Sequence, residues 1–558
     1  MPVIKKKKKL RTGGGARGGA REISTLRPRW APKTPPCMAA CPNENDVRGC
    51  LTTIAQSEPS GRTYAESLEK AWYLLTNTNP LPSTCGRVCP HLCQEECNRD
   101  EKDESVVFSA IERSIGDYGL KHNLSHKKIR EESYPEKVAV IGSGPSGLSC
   151  AYQLARRGYP VTVLEAFDKA GGMLRYGIPN YRLPRDILDA EIAAILNLGI
   201  EIKYNTRVGD EISFDDLQKE YKAIYVAIGA HEGMKLGVPS EDVPNVFTGA
   251  EFLNKVNTGE TVDVGKKVAV IGGGNSAIDA ARVSLRLGSD VSILYRRTRK
   301  EMPAIEPEII AAEEEGIHFE FLTAPVEILK NGERATGVKC IRMKLGEPDA
   351  SGRPRPVPIE GSEFDVEADT IIAAVSQKPD SQGLDQIRNE DGWISTDGKN
   401  QTSLDGVFAG GDVTNRLGLV TEAIGLGRKA ATSIDAYLRG VEPANVTAPP
   451  VIQASGVKLE YYETQHPYEA PSLAVTERVN NFNEITSTWE EPQVMAEAKR
   501  CFICGKCFGC DACFSYCSES AVKRTPEGAE LKYEFELSLC TGCKKCAEEC
   551  PCGFIDMV

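Results

Sequence analysis

Two stretches near the end of the chain, CFGCDACFSYCS from Cys507 and CTGCKKCAEECP from Cys540, share the spacing CxxCxxCxxxC. Three thiolates two residues apart wrap one face of an iron–sulfur cubane, while the fourth, carried onto a following helix, points to the other cluster of a two-cluster ferredoxin. Crossed ligation gives Cys507, Cys510, Cys513 and Cys550 to one [4Fe-4S] cluster, and Cys540, Cys543, Cys546 and Cys517 to the other. Zinc prefers paired CxxC ligands in tetrahedral sets and does not need the repeated fourth Cys. Ser518 stands where Pro usually follows the fourth Cys, a change that weakens the turn but removes no ligand. Cys501 and Cys504 form a further CxxC just upstream and, with Cys552, are surplus to eight ligands. They read as free or packing thiols, with alternative cluster ligation or a redox pair as the other readings.

The string KVAVIGSGPSGLSCAYQLARRGYPVTVLE at 137–165 supplies a second kind of chemistry. Gly142 permits a tight turn, Gly144 lets the backbone approach a pyrophosphate, and Gly147 lets helix and strand pack closely, with the helix N-terminus favouring phosphate charge. Glu165 ends the next strand, where a carboxylate accepts ribose hydroxyls. The arrangement recurs at 267–297, with Gly272, Gly274 and Ala277 in the small-residue positions and Asn275 opening the helix. There the second strand runs into Arg296 and Arg297 instead of an acidic residue, and guanidinium groups suit an adenosine 2′-phosphate, which favours NADPH over NADH. Solvated arginines are the plain alternative. Downstream, Gly410-Gly411-Asp412 ends a strand before the helix-forming TEAIGLGRKAA. With the first unit this completes the layout of a two-dinucleotide flavoprotein, Asp412 facing the flavin's ribityl and pyrophosphate region.

The elements that position these residues fix the fold class: α/β, with two Rossmann-like dinucleotide-binding domains, the NADPH domain inserted in the FAD domain. A helical iron–sulfur domain precedes them and an α+β ferredoxin-like domain follows. The expected boundaries are a basic flexible tail at 1–34, the helical domain at 35–134, the FAD domain at 135–259 and 377–445, and the NADPH domain at 260–376. A linker or wrapping arm at 446–495 leads to the ferredoxin-like domain at 496–558. A length of 558 residues suits several folded units, and 41 % apolar residues can build their cores. The net charge of −12 conceals a basic start, since the first 30 residues carry ten Lys or Arg and one Glu. That tail suits solvent or an acidic partner, and no aromatic residue precedes Trp30 to stack on a base, so nucleic acid is not the expected partner. The longest apolar run, AIYVAI at 223–228, is far short of a membrane span, and the start lacks the features of a secretory signal. A cytoplasmic location is expected.

With GGMLRYGIPNYRLP at 171–184, MPAIEPEI and the paired glycine fingerprints, the chain resembles the small subunit of NADPH-dependent glutamate synthase over roughly residues 35–440. Dihydropyrimidine dehydrogenase, in its amino-terminal half, belongs to the same resemblance. It implies FAD near Gly171 and Gly172, NADP(H) in the inserted domain, and iron–sulfur clusters in the helical amino-terminal region. Family members commonly begin with another CxxC upstream of the CxxxCP found here at Cys37 and Cys41, whereas this chain has RPRWAPKTPP. Two ligands are missing, and Cys50 and Cys85 equal the deficit in number. The expectation is one cluster on Cys37, Cys50, Cys85 and Cys97. The other uses Cys41, Cys89, Cys93 and a carboxylate, which the resemblance places at Glu112.

NADPH delivers two electrons as a hydride and a cubane accepts one, so a flavin must stand between them. The expected cofactors are therefore FAD, NADP(H) and four [4Fe-4S] clusters, in an electron-input or output subunit. The expected partner is a larger redox subunit or ferredoxin, of glutamate synthase large-subunit, sulfite reductase or 2-oxoacid:ferredoxin oxidoreductase type. Half of an electron-bifurcating complex is a second enzyme reading. A structural protein with a nucleic-acid anchor is the non-enzyme alternative. No catalytic side chain is singled out, since hydride transfer needs no general acid.

Overall fold

The computed structural model describes residues 24–349, 352–414, 418–443, 447–526, 529 and 531–558. They fall into two compact units, and the basic residues at 1–23 lie outside the described part. The unit formed by 125–443 and 471–487 contains two parallel sheets. In the first, the strand order is Val407–Ala409, Ala223–Val226, Val138–Ile141, Val161–Leu164 and Glu201–Lys203. The central strands are apolar at every position but Thr162 and buried throughout, the pattern of a parallel sheet covered on both faces. In the second, His318–Phe321, Asp290–Tyr295, Lys267–Ile271, Thr370–Ala373 and Val246–Thr248 run parallel. A three-stranded antiparallel sheet, Thr323–Asn331, Arg334–Pro348 and Pro354–Glu367, extends this half.

The insertion has a defined neck, where Glu232–Gly233 pairs antiparallel with Gln377–Lys378. Its amino-terminal boundary therefore lies near residue 234 and not at 260. Strand Val246–Thr248 sits on the edge of the second sheet, and Phe252 and Leu253 of helix Gly249–Asn257 are buried in its core. A three-residue edge strand carries too little periodicity to be read before it is paired. Tyr181 and Arg182, from the GIPNYRLP segment, bind the two halves together. Arg182 Nη1 reaches both oxygens of Asp279 at 3.0 and 2.8 Å, and Arg282 and Arg286 lie over the Tyr181 ring.

The other unit holds residues up to Leu124 together with 447–470 and 488–558. Its helical core is built from Val47–Ala55, Tyr64–Thr76, Phe108–Lys121 and, from the far end of the chain, Glu491–Arg500. Ile54, Leu75, Ile111, Ile115 and Val494 are fully buried there, each contributing about 1.5–3 kcal/mol. The helix entered by a capping box at Thr63 and Glu66 is held by reciprocal bonds of 3.2 and 2.7 Å. Helices Pro82–Val88 and Phe108–Lys121 touch backbone to backbone: a Cβ on Gly116 would lie 2.3 Å from Ser83 N. This close approach sets the cysteines of 85–97 beside the helix that carries Glu112.

Three expected boundaries shift for physical reasons. Residues 24–34 are not a tail, because Pro28–Trp30 pairs antiparallel with Ile555–Met557 and Trp30 packs on Phe535 at 4.3 Å between ring centres. The helical domain ends near Leu124, since Ile129 and Tyr134 bond to the backbone at Arg156 and Gly158, at the end of helix Pro145–Arg156 in the dinucleotide-binding unit. The stretch 446–495 is not one linker: 447–470 packs with the helical unit, while Phe482 and Ile485 join the second nucleotide-binding core. Among the described residues no helix is long and apolar enough to cross a membrane.

Candidate iron–sulfur and dinucleotide sites

Short helices Ala512–Tyr516 and Lys545–Glu548 and two small ribbons shape the carboxy-terminal module. They bring Cys517, Cys540, Cys543 and Cys546 around one cavity. Cys507, Cys510, Cys513 and Cys550 form the other group. Burial, and then the neighbouring thiols Cys550 and Cys507, push Cys510 up to about 12. Cys513 rises for the same reasons, with Cys510, Cys507 and Cys550 all adding to it. The structure thus places together the two crossed sets. Among the described residues no three His, Cys, Asp or Glu close to the spacing of a single metal ion, and the cysteines instead ring wider spaces.

Hydrogen bonding separates two kinds of cysteine. At one kind the sulfur accepts a backbone N–H: Cys517 from Ala521 at 3.2 Å, Cys540 from Gly542 at 3.4 Å, Cys550 from Phe554 at 3.3 Å and Cys89 from His91 at 3.3 Å. Such donors stabilise a thiolate and tune the cluster it binds. At the other kind the thiol donates. Cys50 points to the Ala71 carbonyl at 3.7 Å, Cys85 to Asn79 Oδ1 at 3.7 Å and Cys340 to the Val338 carbonyl at 3.8 Å.

That distinction corrects the amino-terminal ligand set. Cys50, fully buried in the helical core, and Cys85 do not line the cavity at Cys37. That cavity is instead lined, among other residues, by Cys37, Cys93, Cys97, Cys501 and Cys504. Burial and the nearby Cys501, Cys97 and Cys504 push the Cys37 thiol well up. Ile503 N donates to Cys501 Sγ at 3.4 Å, which puts Cys501 among the backbone-accepting kind, and Cys504 Sγ accepts from the side-chain amide of Asn98 at 3.6 Å. The surplus CxxC was visible in the sequence; its spatial neighbour was not.

Cys41, Cys89, Cys93 and Glu112 are brought together as expected. Burial, then Glu112 and the neighbouring thiols Cys89 and Cys41, raise Cys93. Glu112 is only 3 % exposed, and its Oε1 accepts from Asn79 Nδ2 at 2.9 Å and Asn45 Nδ2 at 3.4 Å. His91 Nε2 stands 3.5 Å from Oε2 and, among the described residues, has no hydrogen-bond partner. A buried carboxylate held by two amides beside three thiols is a donor set that suits iron. Asn45, Asn79 and His91 carry no local motif by which the sequence would single them out.

In the first dinucleotide fold, Gly142 has φ of 98° and a Cβ there would lie 2.5 Å from the Ala227 carbonyl. Gly144 and Gly172 face one another, a Cβ on Gly172 falling 2.8 Å from Gly144 Cα, with Gly171 alongside. Gly147 meets the Gly142 carbonyl. This bare backbone cradle, adjoining helix Pro145–Arg156, fits a dinucleotide pyrophosphate. Glu165 accepts from Ser143 N and Phe167 N, each at 2.9 Å, so its carboxylate is fixed at the strand end. Gly411 turns at φ of 80° against Ser146, and Asp412 follows. Burial lifts Asp412 to about 6, against the Gly418 N–H and helped by Glu422.

In the second fold, Gly272 turns beneath the Ala374 carbonyl, Ala277 is fully buried and Gly274 stays open, with Pro303 Cγ no nearer than 4.0 Å. Asn275 Oδ1 accepts from Ile305 N at 2.9 Å, tying the helix start to the MPAIEPEI segment. The arginine pair divides. Arg296 is exposed, whereas Arg297 is buried and engaged, with Nη2 2.6 Å from Asp349 Oδ2 and Nε donating to the Pro354 carbonyl at 2.8 Å. The expectation that both grip a 2′-phosphate is corrected: Arg297 fastens the antiparallel extension, and only Arg296 stays available.

Residues 136–427 match the model of the pyridine nucleotide-disulphide oxidoreductases, 30–124 that of dihydropyrimidine dehydrogenase domain II with its 4Fe-4S cluster, and 506–554 a 4Fe-4S dicluster domain. The chain is 38 % identical over 516 residues to the NADPH-Fe(3+) oxidoreductase subunit beta of Geobacter sulfurreducens, covering 84 % of this chain and 75 % of that one. It is 40 % identical over 511 residues to the NADP(+)-dependent formate dehydrogenase subunit beta of Moorella thermoacetica, covering 84 % and 70 %. Against the glutamate synthase [NADPH] small chain of Escherichia coli it is 35 % identical over 432 residues, covering 72 % and 89 %. The solved structure of FprA from Mycobacterium tuberculosis superposes with a TM-score of 0.50 at 19 % identity, over 55 % of this chain and 85 % of that one, a likeness of fold.

Proposed function

Because the chain belongs to the pyridine nucleotide-disulphide oxidoreductase family and is an NADPH-dependent FAD and iron–sulfur oxidoreductase, we propose that it carries electrons between NADPH and a partner redox subunit through one FAD and four [4Fe-4S] clusters. The observation that carries this reading is the gathering of cysteines, with Glu112, into groups of cluster-ligand type in the same chain as two glycine cradles. Bound FAD takes up a hydride as two electrons and releases them singly to one-electron clusters.

This chain's own residues bind, orient and insulate. Gly144 and Gly172 leave the backbone bare for the flavin pyrophosphate, and Glu165, immobilised by Ser143 and Phe167, accepts ribose hydroxyls. Asp412 accepts hydrogen bonds from the ribityl side. Gly272 and Gly274 receive the NADPH pyrophosphate and Arg296 its 2′-phosphate. Cys41, Cys89, Cys93 and Glu112 hold one cluster, Cys507, Cys510, Cys513 and Cys550 a second, and Cys517, Cys540, Cys543 and Cys546 a third. The relatives named above are β or small subunits, which supports a larger catalytic partner.

Anaerobic titration with NADPH tests the reading. Flavin bleaching followed by reduced-cluster EPR signals, with about 16 iron atoms per chain, is the expected result. About 8 iron atoms would mean that one cysteine region holds no cluster. Unchanged flavin absorbance would overturn the electron-transfer role.

A further inference from the structure

We propose that the fourth cluster is ligated by Cys37, Cys97, Cys501 and Cys504, so that the CxxC ahead of the ferredoxin-like module completes the amino-terminal site. The inference rests on the reading that the helical amino-terminal region holds clusters. Four observations carry it. These four thiols line one cavity from which Cys50 and Cys85 are absent. Cys93, which also borders it, stands with Cys41, Cys89 and Glu112 and is the ligand of that neighbouring group.

The Cys501 sulfur is also presented as those of Cys89 and Cys540 are. Cys501 is followed two residues later by Ile503 at φ of 53°, whose N–H curls back onto Cys501 Sγ. The same turn occurs at Cys89 with His91 at 59° and at Cys540 with Gly542 at 72°. A β-branched residue adopts this left-handed conformation only under constraint, and here it aims a donor at a ligand sulfur.

Amino-terminal residues fix the loop from the other side. Arg99 Nη1 donates to the Arg500 carbonyl at 2.5 Å, Arg48 Nη1 to the Cys504 carbonyl at 2.6 Å and Asn98 Nδ2 to Cys504 Sγ. Glu497 accepts from Val107 N at 2.8 Å. Finally, the ligand arithmetic closes: the sequence lacks a CxxC at 28–36 and has one to spare at 501–504. Four thiolates crowded in a buried cavity repel one another unless a cationic cluster neutralises them.

The test uses full-length protein, reconstituted and handled anaerobically. Cys501→Ser/Cys504→Ser is expected to lose about a quarter of the iron and one component of the reduced-cluster EPR spectrum. Cys50→Ala/Cys85→Ala is expected to match wild type in both. Flavin content and circular dichroism report folding. If the double serine variant fails to fold, single Cys501→Ser, which keeps an oxygen ligand, is expected to retain the iron but alter that EPR component. Unchanged iron and EPR in the Cys501 and Cys504 variants, or loss of the same component in Cys50→Ala/Cys85→Ala, overturns the assignment. Wild-type protein with only about 8 iron atoms, a content that Cys37→Ser/Cys97→Ser leaves unchanged, overturns the reading on which it rests.

Discussion

Asn98 and Cys504, 406 positions apart, meet through an Nδ2 to Sγ hydrogen bond of 3.6 Å, with the same amide also donating to the Ile452 carbonyl at 3.0 Å. The amide cannot turn away without losing both bonds. Removing it as Asn98→Ala withdraws a donor from the sulfur proposed as a ligand, which disfavours the extra electron on the reduced cluster. The midpoint potential of one cluster is expected to fall by on the order of tens of millivolts. Potentiometric EPR titration checks this, with the iron content unchanged.

Glu112 gives a second test. Glu112→Ala removes a ligand and leaves Asn45, Asn79 and His91 facing a gap, so one cluster should be lost or become labile to chelator. Glu112→Cys restores a softer ligand and should keep the iron with a shifted EPR signal. Gly116→Ala attacks the same site from behind. Its Cβ would sit 2.3 Å from Ser83 N, and prying the two helices apart should cost about 1–3 kcal/mol and speed iron loss. Chelator-release kinetics compare the three variants.

Nucleotide preference and stability should separate at the adjacent arginines. Arg296→Ala removes an exposed cation and is expected to raise KM for NADPH by roughly 10-fold or more, a charged contact being worth about 1.5–3 kcal/mol, while leaving NADH almost unaffected. Arg297→Ala removes an ion pair from Asp349 and a donor from the Pro354 carbonyl. It should lower Tm while largely preserving the cofactor ratio. Steady-state kinetics with both nucleotides and thermal unfolding distinguish the two effects.

Asp412 makes the stability of the flavin-free protein depend on pH. Burial raises its carboxyl from 3.8 to about 6, so the folded state holds this proton more tightly than the unfolded chain. Its contribution is fully present below the unfolded value and is lost as the pH rises through about 6. Asp412→Asn should therefore stabilise deflavo protein at pH 7.5, by on the order of 2 kcal/mol, and progressively less as the pH falls toward 5. Thermal unfolding of the pair across that range is the measurement.

The legible parts of the sequence were those in which partners are close along the chain. Each glycine turn is bracketed by its own apolar strands within 30 residues, and the crossed ferredoxin sets lie between Cys507 and Cys550. Glu112 was reachable only through the family pattern, because a carboxylate in a helix has no spacing that marks it as a ligand. The role of the surplus Cys501 and Cys504 is not settled within the sequence, because Cys37, which lines the same cavity, lies at the other end of the chain. Cys50 and Cys85 were favoured by proximity and number, whereas the direction of a thiol hydrogen bond appears only in three dimensions. Arg297 failed for a similar reason, since Asp349 reaches it from a hairpin that a strand-by-strand reading treats separately.

Helix Glu491–Arg500, packed with Val494 and Ala498 against the helices of residues 47–121, also sets an order of assembly. On the ribosome the amino-terminal helices emerge first but lack this wall of their core until nearly 400 more residues have been made. At 5–20 residues per second that is roughly 20–80 s. The intervening dinucleotide-binding unit, whose two sheets need nothing from beyond residue 487, is free to fold during the wait. These helices then close only after Glu491–Arg500 has emerged, and iron delivered to them earlier meets an unfinished core.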